Sequence, residues 1–428
     1  MSTRPCRRLI IVVRADPVIC GHSGEARNLA ESALTRGFDD VRILTWPLDR
    51  LQETGLPLKP LDTVLPYSPG ITVERPAPVG GYKIPDGRFT AGLVGRLVEL
   101  FTDGVPTVCL SLYLSPHTLA VAEAVRVARA TGLPMDVTTV AEAVGSDVTS
   151  VVRACVEDDR FGAAAHVLAS YLDHDVCVAV SEYTKDVIVA AAEQIDARHG
   201  TAFAAQCRRR VDISYPAIDT AAYLNLDPAT TASALSRRGL TRDGYVLFLS
   251  RLSLSKGVAD LIDGFAASMA GHSMRLVIAG RGPDADYLRE YARSSMAADR
   301  IVFLDDVGDE EKPHLMSACA AYALPSKPGD EFTETFGIAP VEQMLAGGGP
   351  VITCATGGIP EAVGDTALMV PVSSPSAIAG AIDTAVLGMS DAARTAHRSR
   401  ARAHAMQFDR TPVFDRLFEK VAVAARTR

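Results

Sequence analysis

The sequence predicts an α/β protein made of two parallel-sheet domains, and three features carry that expectation. Short apolar runs alternate with helical patterns along most of the chain, as in parallel sheets covered by helices. The alternation comes in two sets, separated between Tyr215 and Asp243 by a polar stretch with Pro216 and Pro228 that reads as a linker. At 428 residues, the chain is long enough to give each set its own core.

The first set opens with a buried strand at Leu9–Val13, then a loop holding Gly21, His22, Ser23 and Gly24, then a helix near Glu25–Leu34. Glycines in such a loop let a ligand approach the backbone, and the helix start supplies N–H groups. A strand at Val41–Thr45 follows. Residues 46–88 are rich in proline and glycine and read as a long functional loop or insertion. Strands come next at Thr107–Leu112, Met135–Thr139 and Val176–Val180, with a helix at Leu119–Ala130. The second set places strands at Tyr245–Leu249, Arg275–Ala279, Ile301–Leu304, Ala321–Leu324 and Val351–Thr353. After Ser390 the pattern is helical, and Phe408, Phe414, Leu417, Phe418 and Val421 form an apolar stripe that packs onto the domains.

Composition narrows the function. A net charge of −8 gives no pull toward nucleic acid or anionic membrane. No apolar run reaches membrane length, and the run Leu9–Val13 closed by Arg14 is too short for a signal peptide. The eight cysteines, among them Cys6, are scattered without a C-x-x-C pair and suit buried thiols in a reducing cytoplasm.

Chemistry concentrates in the second half. In the stretch from Asp330 to Glu342, Glu334 and Glu342 stand eight residues apart around Thr335, Phe336, Gly337 and Ile338. Gly337 reads as a strand-to-helix turn, and helical rise would separate the two carboxylates by about 12 Å. Amides near the helix start suit an anion, and the carboxylates suit hydroxyls on either side of it. Otherwise this is a surface helix with two glutamates. Ser250 to Gly257 follows a strand directly, so Arg251 and Lys256 either converge on a diphosphate or are solvated cations. Gly280–Arg281–Gly282–Pro283 extends through Ala285 to a G-x-G-x-x-A pattern, with Asp305 after the next strand; read alone, it implies NAD and an oxidoreductase. Thr356 to Glu361 is a ligand-lining turn or loop punctuation. Asp173–His174–Asp175 has metal-motif spacing but precedes a strand, where a structural turn is expected.

Taken together and in this order, Arg251, Lys256–Gly257, Gly280 to Pro283, Glu334 with Glu342, and Gly357 to Glu361 resemble the family 4 retaining glycosyltransferases. In the first half, the Gly21–Gly24 loop, Val180–Ser181–Glu182 and Pro216 to Asp219 resemble that family too. The likeness is strong from Tyr245 to Glu361, weaker over 1–225 and absent over about 50–90. It implies the GT-B fold: an acceptor-side domain at 1–220 and a donor-binding domain at 221–395, facing a cleft, with a helical segment at 396–428 crossing back. It also implies a metal-independent transfer from a nucleoside-diphosphate sugar to a small-molecule acceptor, with no cofactor. Arg251 and Lys256 would hold the diphosphate, Glu334 the sugar, and Glu342 the ribose. Phe336, Gly337 and Ile338 would offer backbone amides, and Gly21, Gly24, Ser250, Gly280, Arg281, Gly282, Asp305, Val307 and Thr335 complete the expected donor contacts.

Two departures shape the finer expectations. The family commonly has a sugar-contacting histidine after the strand ending at Thr139, where this chain has Val140, Ala141 and Glu142. Either His117 or Glu142 serves instead, or the acceptor needs little deprotonation, as a thiol or amine would. Sulfur glycosylation in an antibiotic pathway is one expectation that follows. Asp305 and Asp306 stand where the family reads the nucleotide base, and a carboxylate pairs better with guanine than with uracil, which leans the donor toward GDP over UDP. A nucleotide-sugar binder without transferase activity and a nucleotide-sugar epimerase are the alternatives beside the oxidoreductase. Oligomeric state stays open.

Overall fold

A computed structural model describes residues 7–426 except 54, 56, 82, 84, 146 and 330–332; Cys6 and Asp330, Glu331 and Phe332 therefore lie outside the described residues. The chain divides into two compact units. One runs up to Ala217 and includes the stretch from Arg410 on; the other is Ile218–Asp409.

The first unit holds a seven-stranded parallel sheet in the order β3-β2-β1-β4-β5-β6-β7. Its strands are β1 (Arg8–Val12), β2 (Asp40–Leu44), β3 (Ile71–Glu74), β4 (Thr107–Leu112), β5 (Val137–Ala143), β6 (Val176–Ala179) and β7 (Val211–Ile213). The second unit holds a six-stranded parallel sheet in the order β10-β9-β8-β11-β12-β13. These are β8 (Tyr245–Leu249), β9 (Arg275–Ala279), β10 (Ile301–Leu304), β11 (Ala321–Leu324), β12 (Val351–Cys354) and β13 (Leu368–Val370). Central strands such as β1, β6, β11 and β12 are buried at every position, because helices cover both faces.

Four expectations change. The supposed loop at 46–88 contains β3, which pairs with β2 from Val41 opposite Ile71 to Leu44 opposite Glu74, and the start of the helix Pro85–Phe101. A four-residue edge strand with one neighbour needs few apolar residues, so its signal is weak. β5 does not stop at Thr139: it pairs with β4 as far as Glu142 and with β6 as far as Ala143. Glu142 is fully buried inside this strand, and a carboxylate there breaks the apolar run that marks a strand in sequence. The stretch 215–243 is not an open linker, since it forms the helices Ala221–Leu224 and Pro228–Arg237. Asp227 caps the latter by accepting from Thr230 N at 2.8 Å, and Pro228 takes the first helical position, where its missing N–H costs nothing. Finally, the expected Gly21–Gly24 loop is the first turn of the helix Gly21–Thr35, capped by Cys20.

The helical end divides between the units. The helix Asp391–Ala405 stays with the second, where Arg398 Nε donates to Gly348 O at 3.1 Å and Arg402 Nε to Leu345 O at 2.9 Å. The helix Arg410–Arg426 belongs to the first and buries Val413, Phe414, Leu417 and Val421 in the cluster formed with Leu9, Leu29 and Phe38. Arg36 grips Asp415 through two hydrogen bonds of 2.6 and 2.7 Å. Among the described residues no helix is long and apolar enough to cross a membrane.

Candidate functional site

In the second sheet the strand order reverses between β8 and β11, so the loops leaving those strands diverge at the carboxyl edge, where open α/β sheets bind ligands. The β8 loop runs from Ser250 to Gly257. It is tied to its neighbours through backbone: Ser250 N to Ala279 O at 3.2 Å, Leu252 N to Arg281 O at 2.9 Å, and Lys327 N to Ser255 O at 2.9 Å. Gly257 has φ of 70°, and a Cβ on it would lie 2.1 Å from Pro325 O, so the β8 and β11 loops touch backbone to backbone. Lys256 ends a 3₁₀ turn just before that glycine, 5% exposed, and its ammonium pairs with the Glu334 carboxylate. Arg251 lies in the same loop and is exposed.

Glu334, Thr335 and Phe336 are not helical; the helix is Ile338–Ala346, with Gly337 as N-cap at φ 111°. Helical rise therefore does not set the Glu334–Glu342 separation, and the expected span of about 12 Å loses its basis. Gly337 has no side chain to cap the helix, which leaves the first-turn amides of Ile338 and Ala339 facing outward from the helix start. The turn Thr356–Glu361 supports this segment. Gly358 N donates to Glu334 O at 2.9 Å, and a Cβ on Gly357 or Gly358 would meet Glu334 O at 1.9 Å or Thr335 O at 2.1 Å. Phe336 is buried edge-on against Phe408, 4.9 Å between ring centres.

Glu342 accepts on one oxygen, Oε1, from Tyr223 OH at 2.7 Å and Lys312 Nζ at 2.6 Å. Burial opposes the Lys312 charge, but Glu342 and Tyr223 outweigh it and hold the ammonium above its ordinary range.

The glycines of the G-x-G-x-x-A pattern serve packing. Cβ atoms on Gly280 and Gly282 would fall 2.0 Å from Ser250 O and 2.1 Å from Leu252 O. Both are pressed against the β8 loop backbone, which occupies the space a dinucleotide pyrophosphate would need. Arg281 Nε donates to Asp305 O, and Arg289 reaches the Asp305 carboxylate at 3.4 Å. Asp306 is held by Arg238 at 2.8 Å, which also grips Glu311 at 2.7 Å; Val307 is half-buried beside them.

In the first unit, His117 is 1% exposed with both ring nitrogens engaged. The Trp46 indole can only donate, so its 3.1 Å contact makes Nε2 the acceptor, and Nδ1–H donates to Leu112 O at 2.7 Å. Burial lowers its pKa to about 3, so the ring is a neutral anchor for the β4 loop and presents no nitrogen to a substrate. Val140 lies inside β5, paired with Leu110 and Val176, so it does not follow the strand. The described residues that do follow it are Val144, Gly145 and Asp147, and none is a histidine. Gly21 and Gly24 are exposed on the first turn of their helix, and a Cβ on Gly24 would meet nothing within 4 Å. Asp175 spends its carboxylate on Thr139 N and Oγ1, at 2.7 and 2.9 Å, and His174 is buried with Nδ1 on Ser170 O: a structural turn. The described residues form no group of three or more His, Cys, Asp or Glu fit to hold a metal ion.

Sequence reading passed over His22 and Glu25, which join Glu142 beside the β1 and β4 loops. A polar pair spaced three apart on a helix start, opposite an acid inside a strand pattern, was the available signal.

Residues 237–402 match the glycosyl transferases group 1 family. Over 185 residues the chain is 32% identical to a D-inositol 3-phosphate glycosyltransferase of Corynebacterium glutamicum, covering 41% of this chain and 43% of that one. Over 189 residues it is 28% identical to the O-antigen chain mannosyltransferase B of Escherichia coli, covering 44% and 48%. An uncharacterised glycosyltransferase of Methanocaldococcus jannaschii is 31% identical over 140 residues, covering 32% and 34%. The chain thus spans less than half the length of these curated relatives. Among solved structures, Anabaena HepE in complex with UDP and glucose superposes with a TM-score of 0.70 at 19% identity, covering 97% of this chain and 99% of that one. WaaG, a glycosyltransferase involved in lipopolysaccharide biosynthesis, gives a TM-score of 0.62 at 15% identity, covering 96% and 98%. At such identities the likeness concerns the fold, which is GT-B.

Proposed function

The chain carries a glycosyl transferases group 1 domain at residues 237–402, and from that premise we propose that it moves a sugar from a nucleoside-diphosphate sugar to a small-molecule acceptor. The observation that carries this reading is the buried Lys256–Glu334 pair at the reversal of strand order, beside the uncapped helix start after Gly337. Lys256 and Arg251 bind the diphosphate and stabilise the charge that grows on it as the sugar leaves, work that elsewhere falls to a metal ion. Glu334 accepts from sugar hydroxyls, while the amides of Ile338 and Ala339 face the phosphate. Glu342 uses Oε1 for Tyr223 and Lys312 and has Oε2 for the ribose. The occurrence of UDP with glucose in HepE supports the donor class.

Several finer points belong to the same proposal. Transfer proceeds with retention of anomeric configuration and without metal, and a thiol is a candidate acceptor. His117 is a loop anchor and takes no part. A guanine preference rests on Asp305, which Arg289 reaches at 3.4 Å, while Arg238 holds Asp306 more closely at 2.8 Å; Asp305→Ala tests it through the ratio of GDP to UDP binding. The free cysteines, such as Cys109, Cys177 and Cys319, suit a reducing compartment and a cytoplasmic protein.

Thermal unfolding with GDP, UDP, ADP and NAD, each with and without magnesium, tests the reading. A ligand that binds only the folded state raises the melting temperature by mass action. A rise with one nucleoside diphosphate, unchanged by magnesium, supports it. A rise with NAD alone overturns it.

A further inference from the structure

Glu342, on the helix Ile338–Ala346, meets two side chains from other helices of the second unit, and both hold the same oxygen. Tyr223, on the helix Ala221–Leu224, donates its hydroxyl to Glu342 Oε1 at 2.7 Å, and the Lys312 ammonium donates to that oxygen at 2.6 Å. Tyr223 is 5% exposed, and the Lys312 and Glu342 side chains are 21% and 13% exposed. Burial first, then the charge of Glu342, push the Tyr223 hydroxyl far above its ordinary range, so it keeps its proton and donates. The ammonium also lies 5.6 Å from the centre of the Tyr223 ring. Two donors fill the two lone pairs of Oε1. Oε2 has no hydrogen-bond partner among the described residues and is not sealed from solvent.

Lys312 is poorly placed for its own helix. It is the first residue of Lys312–Ala318, where a cation faces the positive end of the helix dipole. A shielded ion pair also gives little net stability over apolar side chains of similar volume. The neighbouring Glu311 is gripped by Arg238 at 2.7 Å, so Glu342 is the carboxylate that balances Lys312. Neither helix propensity nor packing accounts for an ammonium at this position, whereas fixing Glu342 does. With Oε1 held from two elements, the carboxylate cannot turn, and Oε2 keeps one orientation.

We propose that Lys312 and Tyr223 are positioning residues that aim Glu342 Oε2 at the ribose, and that this makes the site select ribonucleoside over deoxyribonucleoside diphosphates. The inference rests on the transferase reading and deepens it at the nucleoside end of the donor. One carboxylate oxygen can accept from both hydroxyls of a vicinal diol. Oε2 must serve both, because Oε1 is filled. Removing either hydroxyl then leaves a fixed, largely shielded charge short of a donor, and that loss is not recovered by rotation toward water.

Calorimetry on the full chain, with UDP, GDP and the 2′-deoxy and 3′-deoxy analogues of each, tests this. The parent should bind its preferred ribonucleotide about tenfold or more tighter than either deoxy analogue, as expected for a hydrogen bond to a charged group. Lys312→Met keeps an apolar stem and removes the ammonium, and should bring that ratio close to one. Tyr223→Phe keeps the ring and removes the hydroxyl; it should lower the ratio in the same direction, and it decides the question alone if Lys312→Met does not fold. A merely structural role would weaken ribonucleotide and deoxy analogues equally and leave the ratio unmoved. An unmoved ratio in a folded variant therefore overturns the proposal for that residue and leaves the transferase reading standing. A parent that binds ribonucleotide and deoxy analogues equally well overturns it for both. A parent that binds neither UDP nor GDP overturns the transferase reading, and the proposal falls with it.

Discussion

The Lys256 ammonium and the Glu334 carboxylate, 78 residues apart in sequence, form an ion pair that joins the β8 loop to the segment leading into the helix Ile338–Ala346. Both groups are largely shielded, so removing one leaves the other poorly solvated. Lys256→Met should destabilise the protein toward the lower end of about 3–5 kcal/mol, because Glu334 keeps some exposure. Combining it with Glu334→Gln should recover part of that loss, as measured by urea unfolding. A loss in the double variant equal to the sum of the two single losses would mean the pair is not coupled. Turnover should fall about a hundredfold to a thousandfold in either single variant, since a preorganised charge is lost.

Gly280 gives a second expectation. Its φ is 145°, and a Cβ attached there would lie 2.0 Å from Ser250 O, so Gly280→Ala is incompatible with the present loop. The variant should push the β8 loop outward, weaken nucleoside diphosphate binding at least tenfold by calorimetry and lower the melting temperature. A variant that binds normally would show that this contact does not hold the site.

Much of this was legible in the sequence, and the failures have physical causes. The strands of the second sheet read correctly except β13, and the first sheet hid β3 and β7. All three are edges three or four residues long, with a neighbour on one side only. The site motifs were visible as an ordered set, yet the Lys256–Glu334 pair was not, because only the fold brings their loops together. Gly337 was rightly placed at a turn, but its position also removes Glu334 from the helix and with it the spacing argument. Glu142 hid the end of β5, since a buried acid inside a central strand contradicts the pattern that finds strands.

The helix Arg410–Arg426 should be indispensable to the first unit. Phe414 is 1% exposed, stacked on Phe418 at 4.0 Å and edge-on to Phe38 at 6.1 Å. Phe414→Ala should cost about 3–5 kcal/mol by chemical denaturation. A loss below about 1 kcal/mol would show that the helix is only loosely attached.

His117 should make the protein acid-sensitive. Its folded pKa of about 3 lies below the ordinary 6.5, so between those values the unfolded chain binds the extra proton. Stability from this residue is complete above 6.5 and declines as pH falls toward 3, by at most about 1.4 kcal/mol per pH unit. His117→Gln should flatten the acid side of the stability profile by up to that slope, measured by urea midpoints at successive pH values. An unchanged slope would mean that the ring is charged in the folded state.

Glu142 should act in the opposite direction. Its folded pKa is raised, so above the ordinary carboxyl value of 4.5 the unfolded chain releases the proton first, and stability falls as pH rises. Glu142→Gln keeps a donor toward Glu25 without a titrating proton. The variant should match the parent near pH 4 and exceed it in urea midpoint by pH 8. Such a gain would identify Glu142 as a residue retained at a cost to stability. A variant less stable than the parent at pH 8 would show that Glu142 is ionised and paired in the folded chain.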